Sequence, residues 1–361
     1  MKRYRRLFLT GATGFFGSHI LAELLRSGDG DVICHVRAGG VERVVAALRS
    51  YGLWQDAWTQ RIATVTGDLG QPGLGLGAAF QRLAGDVDAV IHNGANVNYV
   101  LGFKQLRAEN VSATQDALRI AEAAGAPFFF VSTLRMFDRR LDGKPIREDD
   151  PIDMAAAMAV GYAHTKVMAE RLVMAATARG AETAVFRPGL MCGDGVIGAP
   201  NQRDAVSLLI RACVQLRAAP DSPMQVNLTS VAYGAQGLVA LSRDPACFGQ
   251  TWHLVNDTPT RMTRVFEALI AAGYPLDIIP YDLWVERLRD ANARGDSALA
   301  PLVGWFTPGF PAETTGRCFD STKTHKALAM HGVEHPVIDA AFLEQNIRGM
   351  RDCGFLTDIN S

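Results

Sequence analysis

Apolar residues in the first half of the chain come in short, nearly unbroken runs, separated by longer stretches with helical spacing. Leu7–Thr10, Asp31–Val36, Ile62–Val65, Ala89–His92, Pro127–Val131 and Thr183–Arg187 read as strands. Ser18–Arg26, Val41–Ser50, Phe103–Ala124 and Tyr162–Arg179 read as helices. Strands apolar on both faces that alternate with helices predict an α/β fold, a doubly wound parallel sheet that binds its ligands at the carboxyl ends of the strands. The second half is less regular. Pro188–Pro223 is rich in Gly, Pro and Asp, with an amphipathic stretch at Ala205–Arg217. Val226–Leu241 and Thr251–Val255 look like strand material returning to the sheet, and from Arg261 the pattern is mostly helical, interrupted at Pro275, Pro280, Pro301, Pro308 and Pro311. The expected division is a sheet domain over 1–190 plus returning segments at about 226–256, and a smaller, mainly helical lobe over 191–225 and 257–361.

Composition narrows the function. With 36 basic and 37 acidic side chains in 361 residues, there is no general attraction to nucleic acid. A hydrophobic content of 48% leaves ample core material, so disorder is not expected. No stretch reaches the roughly 18 uninterrupted apolar residues of a membrane span. The basic start Met1–Arg6 lacks a cleavage site after its short apolar run, so no signal peptide is read there. The six cysteines fit no zinc spacing, and no metal is expected; buried, reduced thiols in a cytoplasmic protein are the expected state.

The first strand runs into Thr10-Gly11-Ala12-Thr13-Gly14-Phe15-Phe16-Gly17, which opens the first helix. Gly11 allows a tight turn, Gly14 lets backbone approach a pyrophosphate, and Gly17 lets helix and strand pack closely. The helix N-terminus, with Thr13, Phe15 and Phe16 around it, then faces the phosphates. The second strand ends at Arg37, where an NAD enzyme usually carries Asp or Glu; a guanidinium suits a 2′-phosphate, which points to NADP. Arg43 is a second candidate phosphate contact, or a solvated helix position. Asp68 is a candidate acceptor for the adenine amine, or a loop cap.

Tyr162 and Lys166 lie at i and i+4, on one helix face. A phenol with a reference pKa of about 10 becomes a better acid–base group beside a cation, which Lys166 would supply. Thr133, at the end of the fifth strand, could hydrogen-bond a substrate carbonyl. Ser132 ranks below it, because strand alternation points it the other way.

These motifs, with His92-Asn93-Gly94-Ala95, Asn110-Val111 and Arg187-Pro188-Gly189, resemble in their order an extended short-chain dehydrogenase/reductase of Rossmann fold. Leu53-Trp54, Gly67-Asp68-Leu69-Gly70-Gln71-Pro72, the run His92–Asn98, and in the tail Ala271–Leu276 and Pro280–Trp284 resemble thioester reductase domains. Those are the terminal reductases of nonribosomal peptide and polyketide synthases and of carboxylic acid reductases. The resemblance implies NADPH held by Gly11, Thr13, Gly14, Phe15, Phe16, Gly17, Arg37, Arg43, Asp68, Leu69, Asn93, Gly94, Ala95, Tyr162, Lys166, Pro188 and Gly189. It implies a catalytic set of Thr133, Tyr162, Lys166 and Asn110, with Asn110 either holding a water that relays protons to Lys166 or making an ordinary mid-helix polar contact. It also implies an acyl or peptidyl thioester on a phosphopantetheinylated carrier protein or domain, reduced to an aldehyde or on to the alcohol.

Three departures touch the pattern: Ala113 for a usual Gly, Val167 where Trp often follows the lysine, and Leu134-Arg135-Met136-Phe137 after the threonine, which puts Arg135 and Met136 in a possible channel lining. The other readings are a sugar-nucleotide epimerase or dehydratase of the same superfamily, against which stands Leu134-Arg135 in place of Asp-Glu, and a non-catalytic NADP sensor, against which stand the retained Tyr162 and Lys166. His92 and His164 read as packing and surface residues, Asn98 as a better candidate than either, and Cys192 as a buried spectator.

Overall fold

The apolar runs of the first half become neighbours in one sheet. The computed structural model describes residues 1–28, 30–138, 140, 143–295, 299–303, 306 and 318–357. Its strands β1 (Arg6–Thr10), β2 (Asp31–Val36), β3 (Ile62–Thr66), β4 (Ala89–His92), β5 (Phe128–Val131) and β6 (Thr183–Pro188) lie in the order β3-β2-β1-β4-β5-β6, and the strand Gln250–Leu254 adds the seventh position beside β6. Every ladder of this sheet is parallel. The order reverses direction between β1 and β4, so the loops leaving these two strands open the crevice in which a doubly wound sheet binds its ligand.

The helices of this region are α1 (Phe15–Ser27), α2 (Gly40–Ser50), α3 (Ala79–Asp86), α4 (Phe103–Arg107), α5 (Ala113–Ala124), α6 (Met154–Met158) and α7 (Gly161–Ala178). The three consecutive phenylalanines of β5 show why both faces must be covered. Phe128 and Phe130 join Ala117, Ile120, Val173 and Ala176 of α5 and α7, whereas Phe129 faces the other way toward Phe248. Each ring taken from water contributes roughly 1.5–3 kcal/mol.

Contacts divide the chain into two units. The first comprises Met1–Gly189, Val231–Val255 and Phe319–Glu334; the second comprises Leu190–Ser230, Asn256–Cys318 and His335–Ser361. Three segments differ from expectation. Residues 226–230 lie in the second unit, and Val231–Ser242 is a helix rather than strand material. That stretch is apolar on all sides because it is buried on most of them, and such a run carries no period that separates helix from strand. Phe319–Glu334 lies in the first unit. There Thr324 Oγ1 donates to Glu148 Oε1 at 2.6 Å and accepts from the backbone N of His253 at 3.0 Å.

The second unit gathers the helices Ala205–Leu216, Met262–Ala271, Tyr281–Ala293 and Ala340–Asp352 around a core that includes Phe266 and Trp284. Pro280 starts the helix Tyr281–Ala293 rather than breaking one. Pro308 and Pro311 lie outside the described residues. All six cysteines are free; Cys34, Cys213 and Cys247 are buried and Cys192 is half-buried, but Cys318 and Cys353 are exposed, contrary to expectation. No described helix is long and apolar enough to cross a membrane.

Candidate active site

The turn after β1 is built by the absence of side chains. Gly11 has φ +72°, and a Cβ there would sit 2.8 Å from Gly94 Cα. A Cβ on Gly17 would lie 1.9 Å from the Gly11 carbonyl oxygen, and one on Gly94 would lie 2.9 Å from Thr10 Oγ1 and from Leu69 Cδ1. The loops after β1 and β4 therefore touch backbone to backbone. Hydrogen bonds fasten them: Gly94 N donates to Thr10 Oγ1 at 2.9 Å, and Asn93 Nδ2 to Gly11 O at 3.3 Å. Gly14 differs from the other glycines. It is exposed, a Cβ on it would make only an ordinary 3.5 Å contact, and it caps α1, whose first turn holds no acidic residue. Thr13 and Phe16 are half-buried beside it. Phe15 is placed otherwise: its ring is buried edge-on to His19 and Tyr51, which leaves only its backbone for the loop.

Arg37 follows β2 and is exposed, as is Arg43 in the first turn of α2. Asp68 is exposed after β3, with Oδ1 accepting from Gly70 N at 2.8 Å in a local turn, while Leu69 is half-buried against Gly94. Ala95 is half-buried after β4, and Pro188 and Gly189 are half-buried at the end of β6, where Gly189 N donates to Leu254 O at 2.9 Å.

The hydroxyl groups meet at the carboxyl end of β5. Thr133 caps a turn at Leu134–Phe137, its Oγ1 accepting from Arg135 N at 3.2 Å. Tyr162, in the first turn of α7, is 7% exposed, and the Thr133 hydroxyl acts on its phenol. Its ring stands edge-on to Tyr99 with centroids 5.5 Å apart. Burial holds the phenol above its ordinary range and Tyr99 adds to this; the Arg135 charge and the Thr133 hydrogen bond oppose it. Lys166 is one helical turn on, but it does not play the expected part. Its Nζ donates to Val131 O at 2.5 Å and lies 4.3 Å from the centre of the Phe130 ring. Burial brings the ammonium down to about 7, with Glu170 opposing. The cation that opposes the rise of the Tyr162 phenol is Arg135.

Ser132 turns away, as alternation requires, and donates to Glu170 Oε2 at 2.7 Å. Glu170 also pairs with Arg187 at 2.5 Å, both buried, and Arg187 Nη1 donates to Glu148 O at 3.2 Å. The stripe Tyr162, Lys166, Glu170 at i, i+4, i+8 is the sequence signal that marks Glu170.

Asn110 is fully committed elsewhere. It sits in a π turn at Ala108–Ser112 that interrupts the expected helix Phe103–Ala124. Its Oδ1 accepts from Asn96 N at 2.7 Å, and its Nδ2 donates to Asn96 O at 3.1 Å and Thr165 Oγ1 at 2.9 Å. Its backbone carbonyl accepts from Thr114 Oγ1 at 2.6 Å. These bonds make it a clamp on the loop after β4. Asn98 likewise serves its own turn, accepting from Val100 N and Leu101 N. His92 is buried against Phe128 and Phe130 with Nδ1 2.8 Å from Thr10 Oγ1, and burial drives its pKa well down, so it is neutral packing. His164 stacks on Phe103 at 4.1 Å. Met136 is buried in the first unit's core. Cys192 donates to Thr229 O, and burial pushes its thiol up. Tyr99 carries no signal in the sequence, because an aromatic residue in a loop gives no sign of its partner.

An NAD-binding family model described as "Male sterility protein" matches residues 9–238. Among solved structures, the terminal R domain of the myxalamid polyketide–nonribosomal peptide pathway is 38% identical, with TM-score 0.89, covering 99% of this chain and 93% of that one. Among curated proteins, a linear gramicidin synthase of Brevibacillus parabrevis is 34% identical over 93% of this chain, and the L-2-aminoadipate reductase large subunit of Penicillium chrysogenum is 33% identical over 89%. The chain spans 7% and 25% of those two proteins' lengths.

Proposed function

Because this chain belongs to the NAD-binding "Male sterility protein" family, and within it to the terminal reductase domains of peptide and polyketide assembly lines, we propose that it reduces an acyl or peptidyl thioester to an aldehyde. The thioester is carried on the phosphopantetheine arm of a carrier protein or domain. The observation that carries this reading is the pair of buried hydroxyl groups, Thr133 at the carboxyl end of β5 and Tyr162 in the first turn of α7.

The residues fit a dinucleotide. Gly11, Gly17 and Gly94 leave no room for side chains under the turn, Gly14 leaves open space above it, and the start of α1 presents its positive end there. Arg37 and Arg43 favour the 2′-phosphate of NADPH over NADH, Asp68 suits the adenine amine, and Leu69, Asn93, Ala95, Pro188 and Gly189 complete the crevice rim. When bound, NADPH supplies the hydride that the thioester carbonyl carbon accepts.

Thr133 and Tyr162 hydroxyls donate to the carbonyl oxygen as it gains charge, and Tyr162 gives its proton. The resulting hemithioacetal collapses to the aldehyde and the free thiol of the arm; repeating the reduction gives the alcohol. A phenol held above its ordinary pKa keeps that proton until the oxyanion forms. Lys166, docked on Val131 O, is about half protonated at pH 7 and is available to ribose hydroxyls. Asn110 is assigned as a positioning residue. The setting is assigned to the cytoplasm, where free cysteines stay reduced.

The test is NADPH oxidation by the purified chain with octanoyl-pantetheine and with the same acyl group on a carrier. The expected result is one aldehyde per NADPH, detected by mass spectrometry. No turnover of any acyl thioester, with turnover of a sugar nucleotide instead, overturns the proposal.

A further inference from the structure

We propose that Arg135 is a positioning residue for this reduction: its guanidinium, clamped between the Tyr99 ring and the Asp138 carboxylate, places a fixed positive charge beside the Thr133–Tyr162 pair. The proposal rests on the reductase reading above. The guanidinium carbon lies 4.4 Å from the centre of the Tyr99 ring, and Nη1 donates to Asp138 Oδ2 at 3.1 Å. Tyr99 in turn stands edge-on to Tyr162, and the backbone N of Arg135 donates to the Thr133 hydroxyl. One residue thus touches the oxyanion pair through its main chain and aims its charge at it through an aromatic spacer.

The surrounding charges give this cation its importance. On α7, Lys166 is turned to Val131 O, His164 is stacked on Phe103, and Glu170 is paired with Arg187. The turn carrying Arg135 contributes Asp138, and the loop after β4 contributes Tyr99. A guanidinium stays charged at every working pH and stacks on a ring without losing its in-plane donors. Its side chain is 36% exposed, so water screens the charge, and the expected effect is one pKa unit's worth rather than several. The segment Leu134–Phe137 is also where this chain departs from the small or apolar residues usual after the threonine.

Kinetics of NADPH oxidation test this with octanoyl-pantetheine and with octanal, which needs the same hydroxyl pair but no carrier arm. Arg135→Gln is expected to lower kcat about tenfold on both substrates with KM within about twofold, the size of one charge interaction acting on the reaction step. Arg135→Lys is expected to recover most of that loss. Asp138→Asn, which removes the countercharge, is expected to raise kcat. An unchanged kcat in Arg135→Gln overturns the proposal. So do equal losses in all three variants, since a purely structural clamp needs both partners and tolerates no shorter cation. A wild type that reduces octanal but no thioester counts against the reductase reading alone, and the octanal series still decides the role of Arg135.

Discussion

At the turn after β1 the working groups are backbone: Gly11, Gly17 and Gly94 meet where no side chain fits, and charge enters at the exposed Arg37, Arg43 and Asp68. At the end of β5 the working groups are buried side chains, Thr133, Tyr162 and Lys166, each held by a specific partner. The first region is specified by shape and fails when atoms are added. The second is specified by electrostatics and fails when atoms are exchanged without any change of shape.

The most direct way to sharpen that contrast is Tyr162→Phe, which removes one oxygen. Turnover is expected to fall about a thousandfold, within the range for loss of a positioned acid, while NADPH affinity stays within a few-fold by fluorescence titration. Retention of activity would show that the proton comes from elsewhere. Gly17→Ala adds one carbon against the Gly11 carbonyl oxygen and is expected to cost about 3 kcal/mol of stability in denaturant unfolding. Gly14→Ala, which makes only an ordinary 3.5 Å contact, is expected to cost under about 1 kcal/mol and to weaken NADPH instead. Equal stability losses at the two positions would break the shape argument.

Arg37→Ala is expected to weaken NADPH by about tenfold to a hundredfold and leave NADH unchanged, since a charged hydrogen bond is worth about 1.5–3 kcal/mol. A parallel loss of both coenzymes would remove Arg37 from the 2′-phosphate. The smallest effect is in proton linkage. Lys166 is lowered to about 7 in the fold and returns to its ordinary value on unfolding, so the unfolded chain binds more protons between about pH 7 and 10. Its penalty to folding is present at lower pH and fades as pH rises through that window. Wild type is therefore expected to gain stability over Lys166→Met between pH 7 and 10; a constant difference would mean the amine is not held near neutrality.

Much of this architecture is readable from the chain alone, for physical reasons. Strands buried on both faces announce a parallel sheet, and i, i+4 spacing puts Tyr162 and Lys166 on one side of α7 whatever surrounds them. Local pattern fails where a side chain's direction depends on distant partners. Lys166 bonds to a carbonyl on β5, Asn110 spends its amide on Asn96 and Thr165, and Phe15 packs on Tyr51. Pattern also fails where burial is nearly complete, as in Val231–Ser242, because a helix with Gln236 as its one exposed residue shows little contrast between faces. The helix Thr322–Ala329 joins the first unit through contacts far away in sequence, with Glu148 and His253.

The wide turn at Ala108–Ser112 has a consequence for sequence change. It carries one residue more than a regular helical path between α4 and α5 requires. Deleting a single residue there would let the two helices fuse smoothly and would swing everything upstream by about 100° around the axis. Asn110 would then lose its hold on Asn96 and Thr165, and the loop bearing Tyr99 would come adrift, although the rest of the sheet would be intact. In this stretch length is constrained more tightly than residue identity, so it should accept many substitutions but no gap.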